Sequence, residues 1–330
     1  LEFLFFNHSE VFGGQERYLS NITLELSRRG YCSGVISESP GLRFLVSPDE
    51  VDKNQVEFVI LNGNAALYKI RNWLGGTCCV IYVQHSDIRD KQASFFRSII
   101  RKILFRFLLL FVDGVVRVCD YSLPDIYAPR KIKTIYNGVS LPGRKVECND
   151  RFTVVILGSV NSNKNQIEAI DVLRYVSGVC LVVVGSGPLE AELKEYAEQG
   201  EVSDRITWTG HVDNPEDYIS QAHALLMLSK YEAFPYAVLE AMSLGCPVIS
   251  YPVGGVPEIL EDDVNGILLP DRDFDKLCQA VVRLRDSHED VERLGAAARK
   301  TIEERFTVEH MTDQFLEFVE EIARKKGLIT

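Results

Sequence analysis

Glu232 and Glu240 lie in the run EAFPYAVLEAM with seven residues between them, and Lys164 follows a glycine turn upstream. On a helix, that spacing sets two acids about two turns apart near one face. Phe234-Pro235 breaks the start of the segment, which assigns Glu232 to a loop and Glu240 to the helix body. An acid at a loop mouth and a second one two turns below it suit a ligand with two sets of hydroxyls. Lys164 falls between an expected strand and an expected helix, where first-turn N–H groups and a positive partial charge favour anions. Taken singly, these residues also read as a solvated loop lysine and two ordinary helix acids.

The elements that must position them follow from periodicity. Leu1 to Asn7 reads as a buried strand, Phe12 to Gln15 as a glycine turn, and Glu16 to Arg29 as a helix stopped by Gly30. Residues 56–61, 79–83, 112–118 and 132–136 continue as strands. A second series opens with a strand over 152–157, the turn Gly158 to Asn163 and a helix from about Asn165. Strands follow over 179–184, 206–209, 224–228, 247–251 and 266–269, with helices between them and after them. Strand, turn and helix in alternation predict parallel α/β sheets. The reading is two domains: 1–142, a polar linker over 143–150, and 151–306, with a last helix over 307–330.

A chain of 330 residues exceeds one ordinary core. The net charge of -11 is uneven: residues 1–150 carry 19 Lys+Arg against 16 Asp+Glu, and residues 151–330 carry 17 against 31. The acidic second half argues against nucleic-acid binding. The eight cysteines are scattered, without zinc spacing, and read as reduced thiols of a cytosolic protein. No signal peptide and no membrane-spanning run is evident. Asn7-His8-Ser9 and Asn21-Ile22-Thr23 fit glycosylation sequons, a pattern that chance often supplies.

The run from Glu232 to Glu258 resembles the signature of glycosyltransferase family 4 (glycosyl transferases group 1). So do, in order, Gly13-Gly14-Gln15-Glu16, Tyr136-Asn137-Gly138-Val139, Gly158 to Lys164 and Gly185-Ser186-Gly187-Pro188. The resemblance spans nearly the whole chain and is densest over 151–270. It implies the GT-B fold, two Rossmann-like doubly wound domains facing across a cleft. It also implies a retaining, metal-independent hexosyltransferase acting in cell-surface polysaccharide or glycoconjugate synthesis. The donor would be a nucleotide-sugar, a UDP-sugar by family frequency, and the acceptor a saccharide or lipid-linked hydroxyl.

By the same resemblance, Lys164 would neutralise the departing diphosphate, Glu232 meet the donor sugar and Glu240 take the ribose. Phe234, Pro235 and Tyr236 would line the sugar and distal phosphate, with N–H groups from Phe234 and Tyr236 only. Gly13, Gly14 and Gly187 would let backbone approach the donor, and Val212 would lie in the base-binding loop. His85 ends a first-domain strand where a family histidine lies near the transferred sugar, with Asp87 beside it as an orienting or acceptor-contacting residue. Asn137 falls on the turn at the domain junction, and a plain turn explains it equally. The family usually carries arginine just after the glycine of the Lys164 turn, where this chain has Ser159. Lys230 and Arg17 are the alternative cations for that part.

Asp271-Arg272-Asp273 spells the metal-binding triplet of another glycosyltransferase fold. It precedes a helix, and Asp273 is expected to cap that helix instead. No metal or other cofactor is expected. Residues 95–111 form a basic amphipathic helix, with Arg97, Arg101, Lys102 and Arg106 on one half and Phe96, Ile99, Ile100, Ile103 and Leu104 on the other. It is either a core helix with a solvated basic edge or a contact with an anionic membrane, which would place the protein at the inner face of the plasma membrane. Two rivals stand beside the transferase: a GT-B nucleotide-sugar epimerase, and a non-catalytic sugar-nucleotide-binding protein.

Overall fold

The computed structural model describes residues 2–9, 13–39, 41–52, 55–69, 78–86, 95–128, 131–142, 151–270 and 272–328. The expected linker and Asp87 lie outside them. The chain divides into two compact units, one made of Leu1–Gly138 with Phe306–Thr330, the other of Val139–Arg305.

In the first unit, β1 (Phe3–Asn7), α1 (Gly14–Arg28), β2 (Ser33–Ile36), β3 (Phe58–Asn62), α2 (Asn64–Tyr68), β4 (Cys79–Gln84), α3 (Phe95–Leu108), β5 (Gly114–Arg117) and β6 (Ile132–Thr134) follow in order. The described strands form one parallel sheet in the order β2-β1-β3-β4-β5-β6. Every residue of β3 and β4 is buried, as a parallel sheet covered on both faces requires. β2 escapes the periodicity because it is a four-residue strand containing Gly34.

The last helix, α11 (Val308–Lys326), also belongs to this unit. Phe315 is fully buried, with its ring centroid 6.1 Å from Phe3 and 6.3 Å from Phe5. Arg29 pairs with Asp313, and Lys326 Nζ reaches Asp113 Oδ2 at 2.7 Å. At Gly138 the backbone closes on the helix start: a Cβ there would stand 2.3 Å from the Thr307 carbonyl oxygen. The Gly138 carbonyl accepts from Asn21 Nδ2 at 2.8 Å. The complete burial of Asn7 closes its sequon to a glycan.

The second unit runs β7 (Thr153–Leu157), α4 (Gln166–Tyr175), β8 (Cys180–Val184), α5 (Glu190–Gln199), β9 (Ile206–Gly210), α6 (Glu216–Gln221), β10 (Ala224–Met227), α7 (Tyr236–Ser243), β11 (Val248–Ser250), α8 (Val256–Ile259), β12 (Ile267–Leu268), α9 (Phe274–Asp286) and α10 (His288–Arg305). Its sheet is parallel, in the order β12-β11-β10-β7-β8-β9. The core is branched-aliphatic, centred on Val154, Ile156, Leu181, Val183, Leu226 and Ile249.

In each sheet the strand order reverses once, between β1 and β3 and between β7 and β10. Crevices for ligands open at the carboxyl ends of strands flanking such a reversal.

Candidate functional site

The residues predicted to do chemistry in the second unit gather at that reversal. β7 ends at Leu157, and Gly158 to Asn165 leads into α4. β10 ends at Met227, and the chain then reaches Glu232. Lys164 Nζ lies 2.7 Å from Glu232 Oε1, with side-chain exposures of 19% and 15%. A pair this shielded keeps more of its Coulombic attraction than a surface pair would.

The surrounding chain fixes both partners. Asn161 Oδ1 accepts from the backbone N–H groups of Asn163 (3.0 Å) and Lys164 (3.1 Å), a local turn that sets the lysine backbone. Asn163 then staples the two loops: its Nδ2 donates to the Tyr231 carbonyl at 3.1 Å, and its Oδ1 accepts from Tyr231 N–H at 3.0 Å. Gly158, at φ +119°, gives the lysine room, since a Cβ there would come 2.8 Å from Lys164 Cε. On the other side Gly254 presses against the Glu232 carbonyl, and Gly255 N–H donates to the Ala233 carbonyl at 2.7 Å. Sequence reasoning missed the asparagine staple, for which a lone Asn gives no signal.

Pro235 caps α7 and Tyr236 opens it, so Glu232 and Phe234 lie in the loop and Glu240, buried at 8% exposure, in the helix. Gly187 packs its backbone on that of Val160, where a Cβ would meet the carbonyl oxygen at 2.3 Å. Ser159 is exposed after β7, and its carbonyl accepts from Gln166 Nε2 at 3.1 Å. Val212, partly buried, follows β9, and Lys230 is exposed just before the acidic loop. Asp273 caps α9, its Oδ1 accepting from Lys276 N–H at 3.1 Å, while Asp271 lies outside the described residues. Nearby, Tyr251 OH donates to Glu168 Oε1 at 2.5 Å, and the Arg272 guanidinium carbon stands 5.0 Å from the Tyr251 ring. Burial and the Glu168 carboxylate push the Tyr251 hydroxyl far above the phenol range.

In the first unit, Gly13 precedes α1 with an extended backbone, φ −152°. A Cβ there would make only an ordinary 3.6 Å contact with Glu16 Oε2, so the fold does not itself demand glycine at this position. Gly14 is the first helical residue. Asn137 is buried before Gly138, and Arg17 lies on α1.

His85 follows β4, half-buried, its ring edge-on to Tyr18 at 4.9 Å and its Nε2 2.6 Å from Asn62 Oδ1. Burial holds its pKa down at about 3, which keeps the imidazole neutral. Asn7, Asn62 and Gln84 are all buried amides ending apolar strands. The sequence carried that signal in plain view, as FLFFN, FVILN and CVIYVQ, and reading the runs only as buried strands passed over it.

α3 buries Phe105 and α3's continuation buries Leu109, with the Phe105 centroid 5.8 Å from that of Tyr82. The stripe expected to face away from the basic half lies open: Ile100 is 64% exposed, Ile103 65% and Leu104 44%. Phe107 and Leu110 extend it. The covered stripe is therefore a different one, and a plain core helix with its apolar half inside is not what forms. No helix among the described residues is long and apolar enough to cross a membrane.

Comparison with known proteins agrees with this geometry. Residues 143–301 match the family model of the glycosyl transferases group 1. The amylovoran biosynthesis glycosyltransferase AmsK of Erwinia amylovora is 32% identical over 167 residues, 48% of this chain and 41% of that protein. The Vi polysaccharide biosynthesis protein VipC/TviE of Salmonella typhi is 30% identical over 150 residues, 44% of this chain and 26% of that protein. The chain spans less than half the length of each. Among solved structures, HepE of Anabaena in complex with UDP superposes with a TM-score of 0.79 at 18% identity, covering 97% of this chain and 100% of that one. The complex of HepE with UDP-glucose gives 0.78 over the same share of this chain. Two parallel doubly wound units, a group 1 match over the second and these neighbours together give the chain the α/β GT-B fold of glycosyltransferases.

Proposed function

We propose that this protein is a glycosyltransferase that moves a sugar from a nucleotide-sugar to a hydroxyl of a saccharide or lipid-linked acceptor, in polysaccharide or glycoconjugate synthesis. The observation that carries it is the Lys164–Glu232 pair, 2.7 Å long, at the strand-order reversal of the second unit. The second unit takes the donor. An ammonium has three donors, so Lys164 can keep Glu232 and still donate to diphosphate oxygens as the glycosidic bond breaks. Glu232 bonds donor-sugar hydroxyls, and Glu240 the ribose diol. Phe234, Pro235, Tyr236, Ser159, Gly187 and Val212 complete that wall. In the first unit, the missing side chains of Gly13 and Gly14 leave the backbone at the start of α1 open to close approach by an anionic group, which accounts for a glycine the fold alone does not need. In the same unit, His85 takes a sugar hydroxyl.

UDP-sugars are the first donors to test, because HepE was solved with UDP and UDP-glucose. The transfer retains anomeric configuration and needs no metal, with lysine and helix N-termini supplying the positive charge. The exposed apolar stripe of α3, flanked by Arg101 and Arg106, rests on an anionic lipid surface at the inner face of the membrane.

A melting-temperature panel of UDP-, GDP-, ADP- and CMP-sugars with and without EDTA selects the donor class, since a ligand bound only by the folded state raises the transition. With that donor, Lys164→Ala and Glu232→Ala are expected to lose turnover while keeping the fold. Turnover surviving both changes refutes the site. An α-linked product from an α-linked donor, read by proton coupling in NMR, supports retention; a β-linked product refutes it. Binding without transfer to any acceptor would favour the non-catalytic binder.

A further inference from the structure

We infer that Glu16, Asn7 and Asn62 are positioning residues that lock His85 in one tautomer, with the proton on Nε2 and the lone pair on Nδ1. The consequence for the site, which rests on the role proposed above for His85, is that the ring accepts a hydrogen bond from a ligand hydroxyl and rejects a phosphate or carbonyl oxygen at that atom.

The relay starts at a carboxylate. Glu16 is 1% exposed, and its Oε2 accepts the Gly13 N–H at 2.8 Å, an ordinary helix-start contact. Its other oxygen, Oε1, accepts from Asn7 Nδ2 at 3.0 Å. An ionised carboxylate only accepts, so the Asn7 amide cannot turn over without opposing two oxygens. Asn7 Oδ1 is therefore aimed at Asn62, whose Nδ2 donates to it at 3.1 Å. The backbone carbonyl of Gln15, 3.3 Å from the same Nδ2, is a second acceptor that cannot donate. Asn62 is thus fixed from two sides, and its Oδ1 is left to face His85 Nε2 at 2.6 Å. An amide oxygen has no proton to give, so the shared proton sits on Nε2. A neutral imidazole carries one N–H, which makes Nδ1 the acceptor.

Each member lies where its strand ends: Asn7 closes β1, Asn62 closes β3 directly across the ladder, and His85 follows β4. Asn7 and Asn62 are 0% and 1% exposed. Water therefore offers little competing partnership, and a flipped amide would be left opposing like dipoles in a low-dielectric site. The Tyr18 ring, edge-on to the imidazole, limits its tilt. No described residue bonds Nδ1. The direction of the chain is set by its charged end, so a histidine that has no carboxylate beside it behaves as if one were relayed to it through two amides.

The test is long-range proton–nitrogen NMR on histidine-labelled protein at pH 7, with His85 assigned from its loss in His85→Gln. The expected pattern is a neutral ring protonated at Nε2. A ring protonated at Nδ1, or a rapid mixture of both forms, overturns the inference, and this arm needs no variant in the network. Asn62→Leu keeps the volume and removes the relay. A folded Asn62→Leu protein is expected to show a tautomer mixture and a kcat at least ten-fold lower with the donor KM changed less than three-fold. An unchanged tautomer in that variant also overturns the inference. If His85→Gln retains full turnover, the role proposed for His85 falls while the NMR result still decides the tautomer, so the two failures are separable.

Discussion

Gly254→Ala probes the geometry that holds Glu232, and its cost can be worked from the structure. Gly254 sits at φ +56°, and an added Cβ would stand 1.7 Å from the Glu232 carbonyl oxygen, 2.7 Å from its carbon and 3.3 Å from the Ala233 oxygen. All three are backbone atoms, with no rotamer to retreat into. Reaching even 3.0 Å from that oxygen needs a shift of about 1.3 Å. Alanine in the left-handed region costs ~1–2 kcal/mol, and forcing atoms into a packed site ~1–3 kcal/mol more. The Gly255–Ala233 hydrogen bond, about 1 kcal/mol, is lost in the movement. A total of about 3–6 kcal/mol should lower the melting transition by roughly 6–24 °C. If the Glu232 loop yields instead, displacing a positioned group by about an ångström costs ~100-fold in turnover. Gly210→Ala is the control: φ is +67°, but nothing lies within 4 Å of its Cβ, so only the backbone term of ~1–2 kcal/mol applies. Melting curves and transfer rates of both variants decide it. A Gly254→Ala protein matching Gly210→Ala in melting and in turnover would refute the reasoning.

Three further outcomes follow from the same structure. His85 is neutral when folded, its pKa depressed from 6.5 to about 3 by burial; the unfolded chain binds its proton more readily, so this contribution to stability is whole above pH 6.5 and fades as pH falls toward 3. Denaturant titrations at pH 7 and pH 4.5 should show a loss that His85→Gln reduces, and an equal loss in both proteins would contradict it. Replacing Ile103 and Leu110 by serine should lower sedimentation with phosphatidylglycerol-rich vesicles several-fold while melting stays within a few degrees, because both side chains are already about two-thirds exposed; unchanged sedimentation removes the lipid assignment. Asp273→Ala should destabilise the second unit by about 1 kcal/mol through loss of its bond to Lys276 N–H, measurable as a shift in urea midpoint, and no shift would show the cap to be inert.

Much of the site was legible because local chemistry dictates it. Pro235 cannot continue a helix backward, so Glu232 had to be loop and Glu240 helix, and both are. Asp273 before a helical run had to cap it. The doubly wound pattern was legible from fully apolar strands such as TVVIL at β7. Other features depend on the tertiary arrangement. The periodicity of α3 marks a stripe, but which stripe is covered depends on Tyr82 and its neighbours, and Phe105 and Leu109 won that contact. β2 is four residues at a sheet edge, too short for its period to emerge. The amide relay needs Asn7 and Asn62 in ladder register, a fact of pairing that one strand cannot state about another.

The helix α11 has a consequence for synthesis. The second unit is continuous in sequence, from Val139 to Arg305, whereas the first begins with Leu1–Gly138 and is completed by Phe306–Thr330. On a ribosome the early strands emerge long before Phe315 can fill the space beside Phe3 and Phe5. The later unit can therefore close while the earlier one still exposes apolar surface, reversing the usual order in which the N-terminal domain folds first. A chain that stalls or is clipped just after Arg305 would carry a complete second unit on an unfinished partner. Such a product would be expected to bind chaperones or aggregate through its first unit alone.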